Sequence, residues 1–142
     1  MLCPQVCGQI REFAMQQEGM VSLWVGHADS ASALEDYLKL AYSEDGDVIP
    51  SPFASDFRIE YYDEDFREAQ YYTKPSRSVM DLLRGYSYDN VIIPKFIQLL
   101  GDSLPVPVNA TVLLYNFKYE GEVEATASGP VKLRFMGVVS IK

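Results

Sequence analysis

Residues 21–26 read VSLWVG, a short apolar run that is partly β-branched and ends on glycine. This pattern is typical of a buried strand. Asp29 and Ser30 follow and can cap a helix, and Ser32 with Glu35 fits a capping box at the start of that helix. A buried strand followed directly by a helix indicates a domain in which helices pack against a sheet.

Apolar residues at helical spacing predict three helices along the chain. They are Leu34, Tyr37, Leu38 and Ala41 in the first, Val79, Leu82, Leu83 and Tyr86 in the second, and Ile93, Phe96, Ile97 and Leu100 in the third. Gly101 stands where glycine commonly ends a helix. A fourth, short helix is expected after Asp63, which can cap it.

The last third of the chain changes from helical to alternating periodicity. Apolar and polar side chains alternate over residues 113–119 and 131–141, with a shorter strand predicted at 122–127 between them. We interpret these strands as an antiparallel β-meander with one face toward water. With a further short strand at 57–61, the sequence predicts an α+β fold. It has an antiparallel or mixed sheet, a C-terminal β-meander, and three to four helices packed on one side.

Residues 1–19 carry no strong pattern, and Met20 immediately precedes the first strand. We expect residues 1–19 to be an N-terminal extension, poorly packed or not native, and residues 20–142 to form a single α+β domain. Cys3 and Cys7 provide too few ligands for a zinc site, so free thiols are expected. The sequence has no signal-peptide pattern and no apolar run near the roughly 20 residues of a membrane helix, which predicts a cytoplasmic protein.

The net charge of −8 is concentrated in one stretch of the chain. From Asp29 to Glu68 there are twelve acidic and three basic residues, whereas the remainder has eight acidic and nine basic residues. Such a field attracts cationic partners and repels nucleic acid. We therefore expect no direct binding to DNA or RNA.

The most acidic part of this stretch is EYYDEDFREAQYY, residues 60–72, which combines five carboxylates with four tyrosines. One interpretation is a solvated acidic helix, since charge runs usually are solvated. The other is a surface for a basic protein, because tyrosine is enriched at binding hot spots and carboxylates accelerate encounter with a cationic partner. We predict the second. The expected partner-binding residues are Glu60, Tyr61, Tyr62, Asp63, Glu64, Asp65, Glu68, Tyr71 and Tyr72, extended by Asp45 and Asp47 in the preceding loop.

The sequence offers little that suits catalysis or metal binding. His27 is the only histidine, and no GxSxG or SxxK pattern accompanies a serine. Residues 45–56 have the length of a calcium-binding loop but carry Ile49 and Pro50 where that loop needs an oxygen ligand and a glycine. We predict no catalytic residue, no metal and no cofactor. The alternative is an enzyme or small-ligand protein with a pocket near His27 and Trp24.

Four stretches together resemble the immunity protein 22 family: VSLWVG, the helix ALEDYL, EDGDVIPSPFASDFRIEYYDEDFREA, and NATVLLYNFKYEG. The resemblance runs from about Val21 to the C-terminus. Members of this family are encoded beside bacterial polymorphic toxins. The resemblance implies an α+β antitoxin that binds and blocks its cognate toxin without catalysis of its own.

The resemblance assigns no residue to the toxin contact, so the acidic and tyrosine-rich surface is inferred from the residues alone. That surface fits a basic nuclease best, because enzymes that bind nucleic-acid phosphates present cationic clefts. The oligomeric state does not follow from the sequence.

Overall fold

The computed structural model describes residues 15–126 and 129–142. In chain order the described elements are β1 (Gln16–Ala28), α1 (Ala31–Leu38), β2 (Ala41–Tyr42), β3 (Val48–Ile49), α2 (Pro52–Asp56), a 3-10 helix (Glu64–Phe66), β4 (Arg67–Ser78), α3 (Val79–Leu83), α4 (Asp89–Leu100), β5 (Ser103–Phe117) and β6 (Val131–Ser140). This mixture confirms the predicted α+β class. Residues 16–19 of the expected extension belong to β1, whereas Cys3 and Cys7 lie outside the described residues.

Four strands form one antiparallel sheet in the order β4-β5-β1-β6, and β2 pairs with β3 in a separate hairpin. In β1, Leu23 pairs with Leu113 of β5 on one side and with Gly137 of β6 on the other. The predicted C-terminal meander is therefore wrong, because β1 separates β5 from β6. The short strand predicted at 122–127 is reduced, in its described part, to one isolated bridge to β6. Buried backbone groups must be paired, and a buried β1 achieves this with a partner at each edge.

Side chains of the central strands alternate between two apolar layers. Trp24 and Leu114 contribute to the layer that contains α1 and α2, which we call the tryptophan layer. Their neighbours Leu23 and Leu113 contribute to the layer that contains α3 and α4, which we call the tyrosine layer. The prediction that the helices pack on one side is wrong. A sheet that buries both of its faces needs helices packed on each face, and here two helices pack on each of them.

The tryptophan layer is built around Trp24, which is fully buried. The centre of its ring system lies 5.0 Å from that of Phe53, 5.8 Å from Phe57, 5.3 Å from Tyr119 and 5.2 Å from Phe135. Tilted and edge-on pairs of this kind stabilise by ~0.5–1.5 kcal/mol each beyond the area that they bury. The indole N–H finds no hydrogen-bond acceptor among the described residues. Ring packing therefore holds Trp24 in place.

The tyrosine layer contains hydroxyl groups that are themselves buried. The Tyr86 hydroxyl is hydrogen-bonded to that of Thr111. The Tyr115 hydroxyl lies 3.0 Å from the Glu68 carboxylate and 2.7 Å from the carbonyl oxygen of Ser87. Burial is the main reason that the pKa values of Tyr86 and Tyr115 are raised, and the negative charge of Glu68 raises both further.

Truncating Trp24 should remove the centre of its layer. We expect Trp24→Ala to lower the free energy of unfolding by ~3–5 kcal/mol, since the transfer energy of the indole is lost and a cavity remains. The matched control is Val106→Ala, because Val106 is 61% exposed and its truncation should change stability by no more than ~0.5 kcal/mol. Urea unfolding followed by far-UV circular dichroism measures both. Equal losses in the two variants would contradict the central role of Trp24.

The raised tyrosine pKa values should make stability fall in alkaline solution. Tyr86 and Tyr115 have pKa values above 10.0 in the folded protein, so that state holds their protons more tightly than the unfolded chain. This contribution is complete below pH 10.0 and is lost as the pH rises above it. We expect the urea midpoint to decline from about pH 10 upward, and to decline less steeply in Tyr115→Phe. Identical slopes in the two proteins would show that Tyr115 does not contribute.

Candidate functional site

The hairpin of β2 and β3 exposes apolar side chains beside a turn that carries acidic residues. The Ser43 backbone N–H donates to the Asp47 carbonyl at 2.8 Å, and Gly46 takes a left-handed φ of 86° that suits glycine. On the two strands Tyr42 is 63% exposed and Val48 is 58% exposed. Exposed rings and β-branched side chains at one place are a common feature of binding surfaces.

Residues 59–66, which we call the acidic segment, are held in place by two buried side chains. Ile59 and Tyr62 are both almost fully buried in the tryptophan layer. Arg67 donates to the Tyr62 hydroxyl at 2.8 Å and to the Leu38 carbonyl at 2.7 Å. Because these anchors point inward, the side chains between and after them point outward.

The hairpin and the acidic segment enclose a groove of about 400 Å³, which we call the acidic groove. Its floor and walls are apolar or aromatic and its rim is acidic. The lining includes Tyr42, Val48, Ala54, Ile59, Tyr61 and Tyr62, together with the carboxylates of Glu60, Asp63, Glu64 and Asp65. The described residues that line it include no lysine, arginine or histidine.

The carboxylates of the acidic groove have no ion-pair partner within residues 15–126 and 129–142. Asp63 uses its carboxylate to cap the 3-10 helix, accepting from the Asp65 backbone N–H at 3.0 Å. Glu60, Glu64 and Asp65 are exposed. The groove therefore offers apolar contact area next to uncompensated negative charge. This arrangement can attract a cationic group and bury the apolar part of whatever carries it.

The structure places six of the predicted partner-binding residues around this groove. They are Glu60, Tyr61, Tyr62, Asp63, Glu64 and Asp65. Tyr62 lies in the floor with its ring buried, whereas Tyr61 is 49% exposed. Asp45 and Asp47 are exposed in the turn of the hairpin, whose strands line the same groove.

Glu68, Tyr71 and Tyr72 do not line the acidic groove. The predicted helix after Asp63 ends at Phe66 as a single 3-10 turn, and β4 begins at the next residue. The short helix expected after Asp63 therefore does not reach Glu68, Tyr71 or Tyr72, which lie in β4. The polar and aromatic residues of this stretch suit either structure, and pairing with β5 makes it a strand.

Successive side chains of a strand point to opposite faces, which separates the two tyrosines of β4. Tyr71 packs against the tryptophan layer and Tyr72 against the tyrosine layer. Glu68 accepts hydrogen bonds from the Ser87 backbone N–H at 2.9 Å and from its hydroxyl at 2.6 Å. All three predicted residues contribute contacts within the fold.

The sequence analysis missed the apolar side chains of the hairpin, Tyr42, Val48 and Ile49. Each strand is only two residues long, so no periodicity is present to reveal it. A signal did exist, because residues 43–47 read SEDGD between a tyrosine and a pair of β-branched residues. Turn residues flanked in this way are typical of a hairpin.

The structure separates His27 and Trp24, which the alternative interpretation placed beside one pocket. Trp24 is fully buried in its aromatic layer, whereas His27 is exposed and lines a different groove. Among the described residues no group of three His, Cys, Asp or Glu side chains could hold a metal ion. The helices within that part of the chain are too short or too polar to cross a bilayer.

A family model described as immunity protein 22 matches residues 21–141. This range contains both layers of the domain and the whole acidic groove. Curated proteins and solved structures yield no match.

Proposed function

Because the chain belongs to the immunity protein 22 family, we propose that it is an antitoxin of a bacterial polymorphic toxin system. In this role it binds a cognate toxin stoichiometrically and blocks it without catalysis of its own. Binding takes place in the cytoplasm, where the cell that makes the toxin needs protection. The contact surface is the acidic groove with the hairpin turn beside it.

The observation that carries the assignment of this surface is the pairing of exposed apolar side chains with unpaired carboxylates. Tyr42, Val48 and Tyr61 supply contact area, and Glu64 and Asp65 supply charge. Lysine and arginine side chains of a partner can lay their aliphatic stems on the first group and direct their charges to the second. The expected partner therefore presents a cationic surface.

A nuclease is the toxin class that fits this chemistry best. Enzymes that bind phosphate backbones do so with clusters of lysine and arginine. The acidic groove complements such a cluster and repels nucleic acid itself, so the protein competes for the toxin without binding the toxin's substrate. In this proposal Asp45 and Asp47 extend the acidic field, and the buried Tyr62 positions the segment that carries the carboxylates.

Reversing the charge of the acidic groove should slow association with the toxin. We expect Glu64→Lys/Asp65→Lys to lower the association rate by about tenfold or more at low salt and to flatten its salt dependence. The partner is the toxin domain encoded beside this protein, and surface-based binding kinetics at low and physiological salt measure the effect. Growth of cells that express toxin and protein together gives a second readout.

The matched control is Glu35→Lys/Asp36→Lys, which makes the same change in net charge at exposed positions of α1 that do not line the groove. It should retain most of the wild-type association rate. Slower association of both variants with the toxin would indicate a general effect of net charge. Wild-type binding by Glu64→Lys/Asp65→Lys would remove the acidic groove from the interface, and failure of the wild-type protein to bind or protect would contradict the antitoxin role.

The exposed tyrosines of the groove should act mainly on dissociation. Truncating a large ring at the centre of an interface commonly costs ~2 kcal/mol or more, so we expect Tyr42→Ala and Tyr61→Ala each to speed dissociation by about tenfold or more. Tyr88→Ala is the control, since Tyr88 is similarly exposed but does not line this groove. Thermal unfolding of the three variants checks that each of them folds. Unchanged dissociation rates would place the apolar contact elsewhere.

A further inference from the structure

A second groove, of about 440 Å³, lies on the tyrosine-layer face of the sheet. Its floor includes Val25, Leu104 and Val108, which are buried members of that layer, and Val106 at 61% exposure forms a wall. Its lining includes no residue of α3 or α4. Neither helix therefore lines this groove, whose apolar lining is buried at Val25, Leu104 and Val108 and exposed at Val106.

The ionisable side chains among the described lining residues of this groove are basic. His27, Lys132 and Arg134 line it, and its described lining contains no aspartate or glutamate, although the chain carries a net charge of −8. We call it the basic groove. Lys132 pairs with His27 and Arg134 with Val25 across the β1–β6 ladder. Paired residues point to the same face, so the two cationic side chains lie side by side on the face that Val25 and His27 share, Arg134 opposite Val25 and Lys132 opposite His27.

Neither cation is neutralised within the described structure. Lys132 and Arg134 form no ion pair with any carboxylate in residues 15–126 and 129–142, and both are exposed. Residues two apart on one strand face are ~6–7 Å apart, so the two charges repel each other. An anion placed between them would interact with both, and an arginine can bind a carboxylate through two parallel hydrogen bonds.

We propose that the basic groove binds a small apolar carboxylate. The carboxylate lies between Lys132 and Arg134, and the hydrocarbon part lies on Val25, Val106 and Val108. This proposal is independent of the antitoxin role. The basic groove lies on the tyrosine-layer face of the sheet, whereas the acidic groove lies on the tryptophan-layer face. The two grooves are also at opposite ends of β5, since Leu114, at the end near the acidic groove, pairs with Arg67.

The size of the groove favours a small molecule over a protein. A volume of about 440 Å³ falls within the ~300–1,000 Å³ of small-ligand sites, which are mostly apolar with a few polar groups that orient the ligand. Of the described residues, fourteen line the groove, fewer than the ~20–30 that each partner contributes to a standard protein interface.

Octanoate is a suitable probe, with octanamide as its neutral match in size and shape. Titration of the isotope-labelled protein, followed by amide nitrogen–proton spectra, should show saturable shifts centred on Val25, Val106 and Arg134. The expected affinity for octanoate is millimolar or tighter, as befits so small a ligand. Octanamide should bind about tenfold or more weakly, because it lacks the charge.

The variant that tests the charges is Lys132→Gln/Arg134→Gln, and Val106→Asp tests the apolar wall. We expect each to weaken octanoate binding about tenfold or more. The matched control is Lys74→Gln/Arg84→Gln, which removes the same charge at exposed positions outside the groove and should bind as the wild type does. Thermal unfolding checks that every variant folds.

Three results would overturn the proposal. One is equal affinity for octanoate and octanamide, which would mean that the cations take no part. Another is wild-type affinity in Lys132→Gln/Arg134→Gln. The third is the absence of saturable shifts at the groove in the wild-type protein. None of these results bears on toxin binding at the acidic groove.

Discussion

The structure depends on the burial of both faces of the β1–β5 strand pair. Neighbouring residues such as Leu23 and Trp24 point to opposite layers, and each fully buried side chain of this kind stabilises by ~1.5–3 kcal/mol. Helices must therefore cover the sheet on both sides. The chain meets this requirement in sequence order, since α1 and α2 cover one face, β4 runs along the sheet edge, and α3 and α4 cover the other.

The acidic segment lies where the chain passes from the first layer to the edge strand. Ile59 and Tyr62 hold it against the tryptophan layer, and Arg67 ties Tyr62 to the end of α1. Its carboxylates remain outside because burial of an unpaired charge is costly. The same connection thus completes the fold with its inward side chains and presents an acidic rim with its outward ones. The hairpin adds apolar contact area to that rim.

Part of this arrangement was predictable from the chain. The strand at 21–26 and the helices that contain Val79 and Phe96 were predicted and are present, because apolar runs and helical periodicity mark them. The burial of α4 differs in detail, since Ile92 and Phe96 are buried and the predicted Ile93 and Ile97 are only half-buried. The stretch after Asp63 was predicted to be a helix and is mostly β4, whose side chains are only half-buried at the sheet edge. Edge strands lack the apolar pattern that identifies central ones. The predicted acidic site was correspondingly divided, with Glu68, Tyr71 and Tyr72 separated from the groove.

The sequence by itself determined the α+β class, the family, the uneven charge and the presence of an exposed acidic segment near residue 60. These properties are local, since composition, short-range periodicity and the solvation of charge depend on neighbouring residues. Only the tertiary structure decided the strand order, the second helical layer, the union of the hairpin with the acidic segment, and the basic groove. Each of these joins residues far apart in the chain, such as Leu23 with Gly137 and Val106 with Arg134. Such contacts depend on which of the many possible pairings of distant residues buries apolar surface best. This choice involves the whole chain, so it cannot be read from any short stretch of sequence.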